Sequence, residues 1–287
     1  MPTPPVLGLT AGDPAGIGPE ILEACLNDPE LPQNCQLRRI GATEGHQAGH
    51  PTKDSARAAA EALEEAAALL ASGEIQGIVT GPVAKKSLCD AGFAYPGQTE
   101  FFAARSGTEN FAMCLTGGPL TVALVTIHVP LREVPRLLRR EEIVRVGKLL
   151  HGFLRQRLGR APRIAVAGLN PHAGEEGQFG TEEQTIIAPA VAELAQERDF
   201  TGPLSPDTVF HRATQGEYDG VLCMYHDQGL IPLKLLAFDT GVNVTLGLPF
   251  PRTSPDHGTA FDIAGKGRAN HRSMLAAIKL AAEMLRR

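Results

Sequence analysis

The stretch DGVLCMYHDQGLIPLKLLAFDTGVNVTLGLPFPRTSPDHGTAFDIAGKGRAN, Asp219 to Asn270, decides how the rest of the chain is read. It opens on Val221-Leu222-Cys223-Met224-Tyr225, an apolar run of strand length, and delivers His226 and Asp227 where that run ends. Lys234 follows eight residues after His226. Asn243 lies in a second β-prone run, Val242 to Leu246, and Arg252 in the loop expected after it. The closing HGTAFDIAGKGRAN has three glycines, an Asp and an Asn around little that could fill a core. Open α/β sheets build ligand crevices where apolar strands end in polar, charged and glycine-rich loops. The stretch reads as a site, and the class it implies is α/β.

The totals bound what that site can serve. A chain of 287 residues suggests about two domains or one large one, and 43% hydrophobic with 21% charged residues is ordinary for a globular protein with a full core. A net charge of −5 gives no basic field, so neither nucleic acid nor an anionic membrane is expected as a partner, and an anionic substrate must be held by local cations. Cys25, Cys35, Cys89, Cys114 and Cys223 are odd in number and lack CxxC spacing, which suits reduced thiols rather than a disulfide frame. No apolar run reaches membrane-spanning length, and Met1-Pro2-Thr3-Pro4-Pro5 has no signal-peptide character. A cytoplasmic protein is expected.

Outward from the opening stretch, strands alternate with helices. Val6 to Thr10, Gln36 to Gly41, Ile75 to Thr80 and Arg163 to Leu169 read as strands. Pro19 to about Leu26, Ser55 to Ser72 closed by Gly73, Glu141 to Leu158, Glu182 to Glu197 and Ser273 to Arg287 read as helices. Asn110 to Thr116 and Leu120 to Thr126, joined by Gly117-Gly118-Pro119, suit a hairpin. The AGDPAGIGPE turn after the first strand reads either as an anion-facing turn or as a plain connector; its glycines do not form a GxGxxG fingerprint. The alternation argues a mainly parallel sheet with one hairpin element.

His128, His172 and His226 share one place in this pattern, each within a few residues of the end of an apolar strand. In a parallel sheet such ends lie along one edge, and three neutral imidazoles with open positions make a catalytic metal site. A lone histidine there is more often a hydrogen-bonded structural residue, and spacing alone leaves the two readings open.

TGPVAKKSL, PGQTEFFA, TIHVPL, GLNPHAGE, MYHDQGLIPLK, GVNVTLGLPFPRTSPDHGTA and GDPAGIGPE resemble, in the same order, the 4-hydroxythreonine-4-phosphate dehydrogenase family of vitamin B6 biosynthesis. The resemblance implies an isocitrate/isopropylmalate-dehydrogenase-like α/β/α sandwich. In it residues 1–287 form a single unit of two interleaved lobes around a central cleft. It implies that His128, His172 and His226 bind a divalent metal (zinc, cobalt or magnesium), and that Thr99, Lys234, Asn243 and Arg252 hold the substrate. The chemistry implied is oxidation of a secondary alcohol by NAD, with NADP possible, followed by decarboxylation. Asp227 would orient His226 or move a proton. The resemblance further implies an obligatory homodimer, in which the residues from His226 onward serve the partner's active site.

Two departures stand out. Gln98 occupies the place of the family's usual His in GHTEFF; a glutamine hydrogen-bonds but carries no charge and shuttles no proton. The segment between Asn34 and Ser55 is shorter than the family's. HGTAFDIAGKGRAN is similar to the adenine–ribose loop of isocitrate and isopropylmalate dehydrogenases. That likeness places His257, Gly258 and Asn270 around the adenine and Asp262 at the ribose 2′-hydroxyl, where a carboxylate favours NAD over NADP. The same chemistry on a four-carbon sugar-acid phosphate or an aromatic dihydrodiol is the alternative that Gln98 permits. A phosphate-handling acyltransferase would need neither metal nor nicotinamide, so the histidines and the Asp262 loop speak against it; a metal-dependent hydrolase is the other enzyme alternative, which a lack of NADH production would favour.

Overall fold

The computed structural model describes residues 4–196 and 198–286, so Met1–Thr3 and the expected helix ends Glu197 and Arg287 lie outside the described residues. The chain builds most of one unit, then all of a second, and returns to finish the first. The described residues of Met1–Glu109 and Val242–Arg287 form the first unit, and Asn110–Gly241 the second.

The first unit opens with β1 (Val6–Thr10), α1 (Gly18–Leu26), β2 (Gln36–Ile40), α2 (Lys53–Ser72), β3 (Gly77–Thr80), α3 (Lys85–Asp90) and α4 (Gln98–Arg105). The second holds β4 (Ala112–Gly117), β5 (Leu120–Leu124), α5 (Val134–Leu137), α6 (Arg140–Leu158), β6 (Ile164–Ala167), α7 (Ala188–Ala195), β7 (Phe200–Leu204), α8 (Val209–Thr214), β8 (Gly220–Cys223) and α9 (His226–Ala237). β9 (Val242–Leu246), β10 (Arg252–Pro255) and α10 (Arg272–Met284) complete the first.

In the first unit the strand order is β2-β1-β3-β10-β9, parallel except for the antiparallel β10–β9 pair. Helix α2 starts where the sequence lets it: Thr52 and Ser55 exchange backbone-to-side-chain hydrogen bonds at 3.1 Å, and Gly73 ends it in the left-handed conformation. Leu63, Ile75, Ile78, Phe101 and Phe102 pack into its core. The AGDPAGIGPE turn is a connector. Ala15 N–H bonds Asp13 Oδ1 at 3.0 Å, and Asp13 N–H and Ile17 N–H bond the Pro82 and Thr259 carbonyls at 2.9 Å, so these amides are used internally. Gly12 has φ 78 and a Cβ there would stand 2.1 Å from the Pro82 carbonyl oxygen, so only glycine fits.

In the second unit the order is β4-β5-β8-β6-β7, with the β4–β5 hairpin antiparallel and the rest parallel. Leu120, Val122, Leu124, Val221, Leu230 and Leu233 fill its core. The strands that precede the three histidines, β5, β8 and β6, are immediate neighbours running the same way.

Two local expectations need correction, and one helix was not anticipated. Arg252 does not lie in a loop; it begins β10, opposite Ile78 of β3. Its run Arg-Thr-Ser-Pro carries no aliphatic signature of a strand, and backbone pairing alone makes it one. Helix α9 runs from His226 to Ala237 through Gly229 and Pro232, both of which disfavour a helix interior. Packing overrides that preference: a Cβ on Gly229 would come within 3.1 Å of Leu124 and Val122 side chains, so the glycine lets the helix lie close on the sheet. Finally, the helix expected from Glu182 starts as a wider π-turn, Glu183–Ile187, before α7.

Candidate active site

Two groups of side chains at strand ends are unfinished by the fold itself, one in each unit. The first surrounds Arg252. Its side chain is buried, 3% exposed, yet no carboxylate is among its hydrogen-bond partners. One terminal nitrogen donates to Thr99 Oγ1 (3.3 Å) and Thr245 Oγ1 (3.2 Å), the other to Thr80 Oγ1 (2.7 Å) and Gln98 Oε1 (3.3 Å), and Nε has no partner. Burial pulls the Arg252 pKa down to about 10, with Glu100 opposing, so the group stays cationic at neutral pH. Gln98 Nε2 donates to the Gly81 carbonyl at 3.1 Å, which ties α4 to the end of β3. Asn243 stands two residues before Thr245 on β9, hence on the same face, and its Oδ1 is buried without a partner. A buried cation bonded to three hydroxyls and an amide oxygen, with no carboxylate among its hydrogen-bond partners, is suited to an anion. Thr80 and Thr245 were not anticipated; Thr80 ending a buried strand before Gly-Pro was the available signal.

The second group lies at the ends of β5 and β8. His128 and His226 face each other with ring centroids 5.5 Å apart, in a cavity of about 290 Å³ also lined by Thr126, Tyr225 and Asp227. His226 Nδ1 is 2.7 Å from Asp227 Oδ1, which favours the tautomer with its Nε2 lone pair available. Burial raises the Tyr225 pKa, helped by Cys223 and Asp227, so the phenol keeps its proton. His172 is not gathered with this pair. Its ring lies 6.4 Å from that of Phe179, and among the described residues no three His, Cys, Asp or Glu side chains form a group that could hold a metal ion.

The backbone around these histidines is strained. His128 has φ 26, and His172, Ala173, Glu175 and Glu176 have φ between 42 and 56, a left-handed turn of non-glycine residues. Each such residue costs about 1–2 kcal/mol, so the surroundings must impose the shape. Buried Glu183 does so, accepting from Leu169 N–H and Asn170 N–H at 2.7 Å and from Asn170 Nδ2 at 2.9 Å.

The glycine-rich loop of the first unit is irregular. His257 Nδ1 is 3.1 Å from the Gly258 carbonyl, while its Nε2 is buried without a partner. A Cβ on Gly258 would touch nothing within 4 Å. Asp262 is exposed, and Asn270 Oδ1 accepts from Arg272 N–H at 3.0 Å in a tight turn just ahead of α10. Within this chain His226 stands beside His128. Arg252 likewise bonds Thr99 and Gln98. The reason is topological: β8 adjoins β5, and β10 adjoins β3.

The mixed α/β architecture is that of the isocitrate-dehydrogenase-like proteins. The structure matches isocitrate dehydrogenase from Methylococcus capsulatus with a TM-score of 0.53 at 17% identity, over 98% of this chain and 85% of that one. Within that class the family model of the pyridoxal phosphate biosynthetic protein PdxA matches residues 21–281, and the chain belongs to this family. It is 47% identical to the 4-hydroxythreonine-4-phosphate dehydrogenase of Geobacter metallireducens over 99% of this chain and 96% of that protein. The crystal structure of the Klebsiella pneumoniae 4-hydroxythreonine-4-phosphate dehydrogenase matches with a TM-score of 0.82 and 38% identity, over 98% of this chain and 99% of that one.

Proposed function

We propose that the protein oxidises and decarboxylates 4-phosphohydroxy-L-threonine to 3-amino-2-oxopropyl phosphate in vitamin B6 (pyridoxal phosphate) biosynthesis, with NAD as hydride acceptor, NADP as a weaker substitute, and a divalent metal. The observation that carries this reading is the buried Arg252 guanidinium, ringed by Thr80, Gln98, Thr99 and Thr245 with no carboxylate bonded to it. A phosphate monoester supplies the charge and acceptors that this ring lacks. Gln98 fits the same substrate: as an acceptor to Arg252 and a donor to Gly81, it does positioning work that needs no charge. Asn243 Oδ1 offers a buried acceptor to the substrate.

The histidine pair fits a metal. Two imidazoles sharing one divalent ion at metal–nitrogen distances of about 2.0–2.1 Å have ring centres about 5–6 Å apart, and His128 and His226 are at 5.5 Å. His172, on the loop after the neighbouring β6, is the third ligand in this reading, and imidazole-only ligation favours zinc or cobalt over magnesium. When bound, the metal lowers the pKa of the substrate hydroxyl and stabilises charge during decarboxylation, and the nicotinamide accepts hydride. Asp227 fixes the His226 ring through Nδ1. Lys234, about two turns along α9, supplies an ammonium to the substrate carboxylate or a path for the proton. His257, Gly258 and Asn270 border the adenine, and exposed Asp262 accepts from the ribose 2′-hydroxyl.

A homodimer belongs to the same reading. Ile231, Leu235 and Phe238 are 68%, 84% and 77% exposed and form one apolar stripe along α9 and its C-cap residue, on the helix that also carries His226, Asp227 and Lys234. A second copy of the chain is the occupant assigned to it. The five unpaired cysteines, four of them buried, suit a reducing cytoplasmic location. The deciding test mixes protein, 4-phosphohydroxy-L-threonine, NAD and zinc, cobalt or magnesium, and follows NADH absorbance. Absence of NADH with all three metals overturns the assignment.

A further inference from the structure

The glycine-rich loop between β10 and α10 is held by its two ends rather than by its own side chains. From Ala260 to Asn270 only Ala264 is buried, so the loop has almost no core of its own. Both ends are fastened to α1. At the first, Ile17 N–H, just ahead of α1, donates to the Thr259 carbonyl at 2.9 Å. A Cβ on Gly16 would stand 2.9 Å from that same carbonyl oxygen, so the two backbones meet only because residue 16 is glycine. At the second, His271 Nε2 lies 2.9 Å from Asp28 Oδ2, just past the end of α1. Cys25 Sγ, in the last turn of α1, adds a contact of 3.6 Å to the His271 carbonyl.

Asp28 is set up for this contact. Its Oδ1 accepts from Glu30 N–H at 2.8 Å and its own N–H donates to the Cys25 carbonyl at 3.1 Å, so the carboxylate is already fixed. The hydrogen bond from His271, and then that from the Glu30 amide, hold its carboxyl below the usual carboxylate range. Helix α10 does not need the pair to stay in place. Met274, Ile278 and Ala281 are fully buried, and Thr253 Oγ1 donates to the Ala277 carbonyl at 2.8 Å. The loop does need it. Ala260 is held at φ 42, strained for a residue with a Cβ, and a loop so held relaxes once one end is freed. Along this loop lie the unpartnered, buried His257 Nε2 and the exposed Asp262 carboxylate, groups that suit an adenosine.

We propose that Asp28 and His271 are positioning residues for the cofactor, fixing the end of the glycine-rich loop on α1 and thereby the shape that residues 257–270 present to the adenosine of NAD. Groups that never touch a ligand set its affinity in this way when they hold the segment that does. The proposal rests on the reading of that loop as the adenosine site.

The test measures ADP-ribose binding by calorimetry and NADH binding by fluorescence, with thermal unfolding and steady-state kinetics alongside. ADP-ribose carries the adenosine without the nicotinamide. Asp28→Ala and His271→Ala should bind both ligands about tenfold more weakly, the size of one hydrogen bond, and raise KM for NAD with kcat unchanged. His271→Gln, whose amide still donates to Asp28, should recover most of the binding. Ile278→Val, a core change in α10, should lower the unfolding temperature and leave binding alone. If the alanine variants do not fold, Asp28→Asn decides, because it keeps the shape and removes the charge, and it too should weaken both ligands. Wild-type affinity in the folded Asp28 and His271 variants, with binding lost in a His257→Ala, Asp262→Ala double variant, overturns the clamp and leaves the loop reading standing. An equal loss of binding in Ile278→Val also overturns the clamp. Wild-type binding in the double variant overturns both.

Discussion

A guanidinium buried among hydroxyls is stable only because it is bonded on most sides, and it gains most from a mobile anion. Arg252 is in that state: its terminal nitrogens are bonded to neutral groups and its Nε is unpartnered. Replacing it with methionine keeps the volume and removes the charge. Loss of hydrogen bonds to a charged group, about 1.5–3 kcal/mol, should raise KM for the phosphorylated substrate by about one to two orders of magnitude. Gln98→Glu tests the same point from the other side. It places a carboxylate where the amide oxygen now meets Arg252, at 3.3 Å, and an internal partner should compete with the substrate. KM should rise in both variants, and an unchanged KM in both would remove Arg252 from substrate binding. Asp262→Asn addresses the cofactor: loss of its charge should relax the preference for NAD over NADP about ten- to a hundredfold, read as the ratio of kcat/KM values. A wild-type preference for NADP would contradict the role.

At the scale of elements, the second unit depends on how its strands are pinned at both ends. At the start of β8, Asp219 accepts from Arg163 N–H at 2.8 Å and from the Arg160 guanidinium at 2.6 and 2.9 Å. Burial alone would raise its pKa, but these bonds outweigh that and bring it to about 2. A depressed carboxylate stabilises the fold above its unfolded value, near 3.9, and that contribution is lost as pH falls from about 4 to about 2. Asp219→Asn should therefore lower stability at pH 7, by about 1–3 kcal/mol, and flatten the acid limb of a stability–pH profile measured by urea unfolding. An acid limb identical to wild type would mean the ties do not act in solution.

The histidine-bearing ends of β5, β8 and β6 were legible because an apolar run followed by His is a strong local pattern. β10 was not legible, since Arg252 to Pro255 becomes a strand through its neighbours. Helix α9 was hidden by Gly229 and Pro232, each of which speaks locally against a helix that tertiary packing then requires. Nor could spacing show Asp28 or Glu183, because their partners, His271 and Leu169, are distant or irregular in sequence.

For the whole molecule the question is which residues complete a site within one chain and which cross to a second copy. His128 and His226 are paired in a single chain, and so are Arg252 and Thr99. Lys234 differs: it lies on α9 between Ile231 and Leu235, beside the most exposed apolar stripe of the second unit, with Nζ 6.0 Å from the Phe238 ring centroid. If a second copy covers that stripe, Lys234 is carried to the interface and serves the partner's site. Two mixing experiments separate the cases. His128→Ala and Lys234→Ala, each inactive alone, should regain activity once subunits exchange, because one of the two sites in a C2 heterodimer escapes both lesions and about half the wild-type activity per heterodimer returns. His128→Ala mixed with His226→Ala should stay inactive if the two histidines act together within one chain, as their pairing at 5.5 Å suggests. Recovery in the second mixture would mean that His226 crosses and the intrachain pairing is not the working one. Recovery in neither, after exchange is verified by mass, would confine the whole site to one subunit. Leu235→Glu adds an independent check. A charge at the centre of an apolar interface should shift the protein towards monomer in sedimentation, whereas on a free surface it would change nothing.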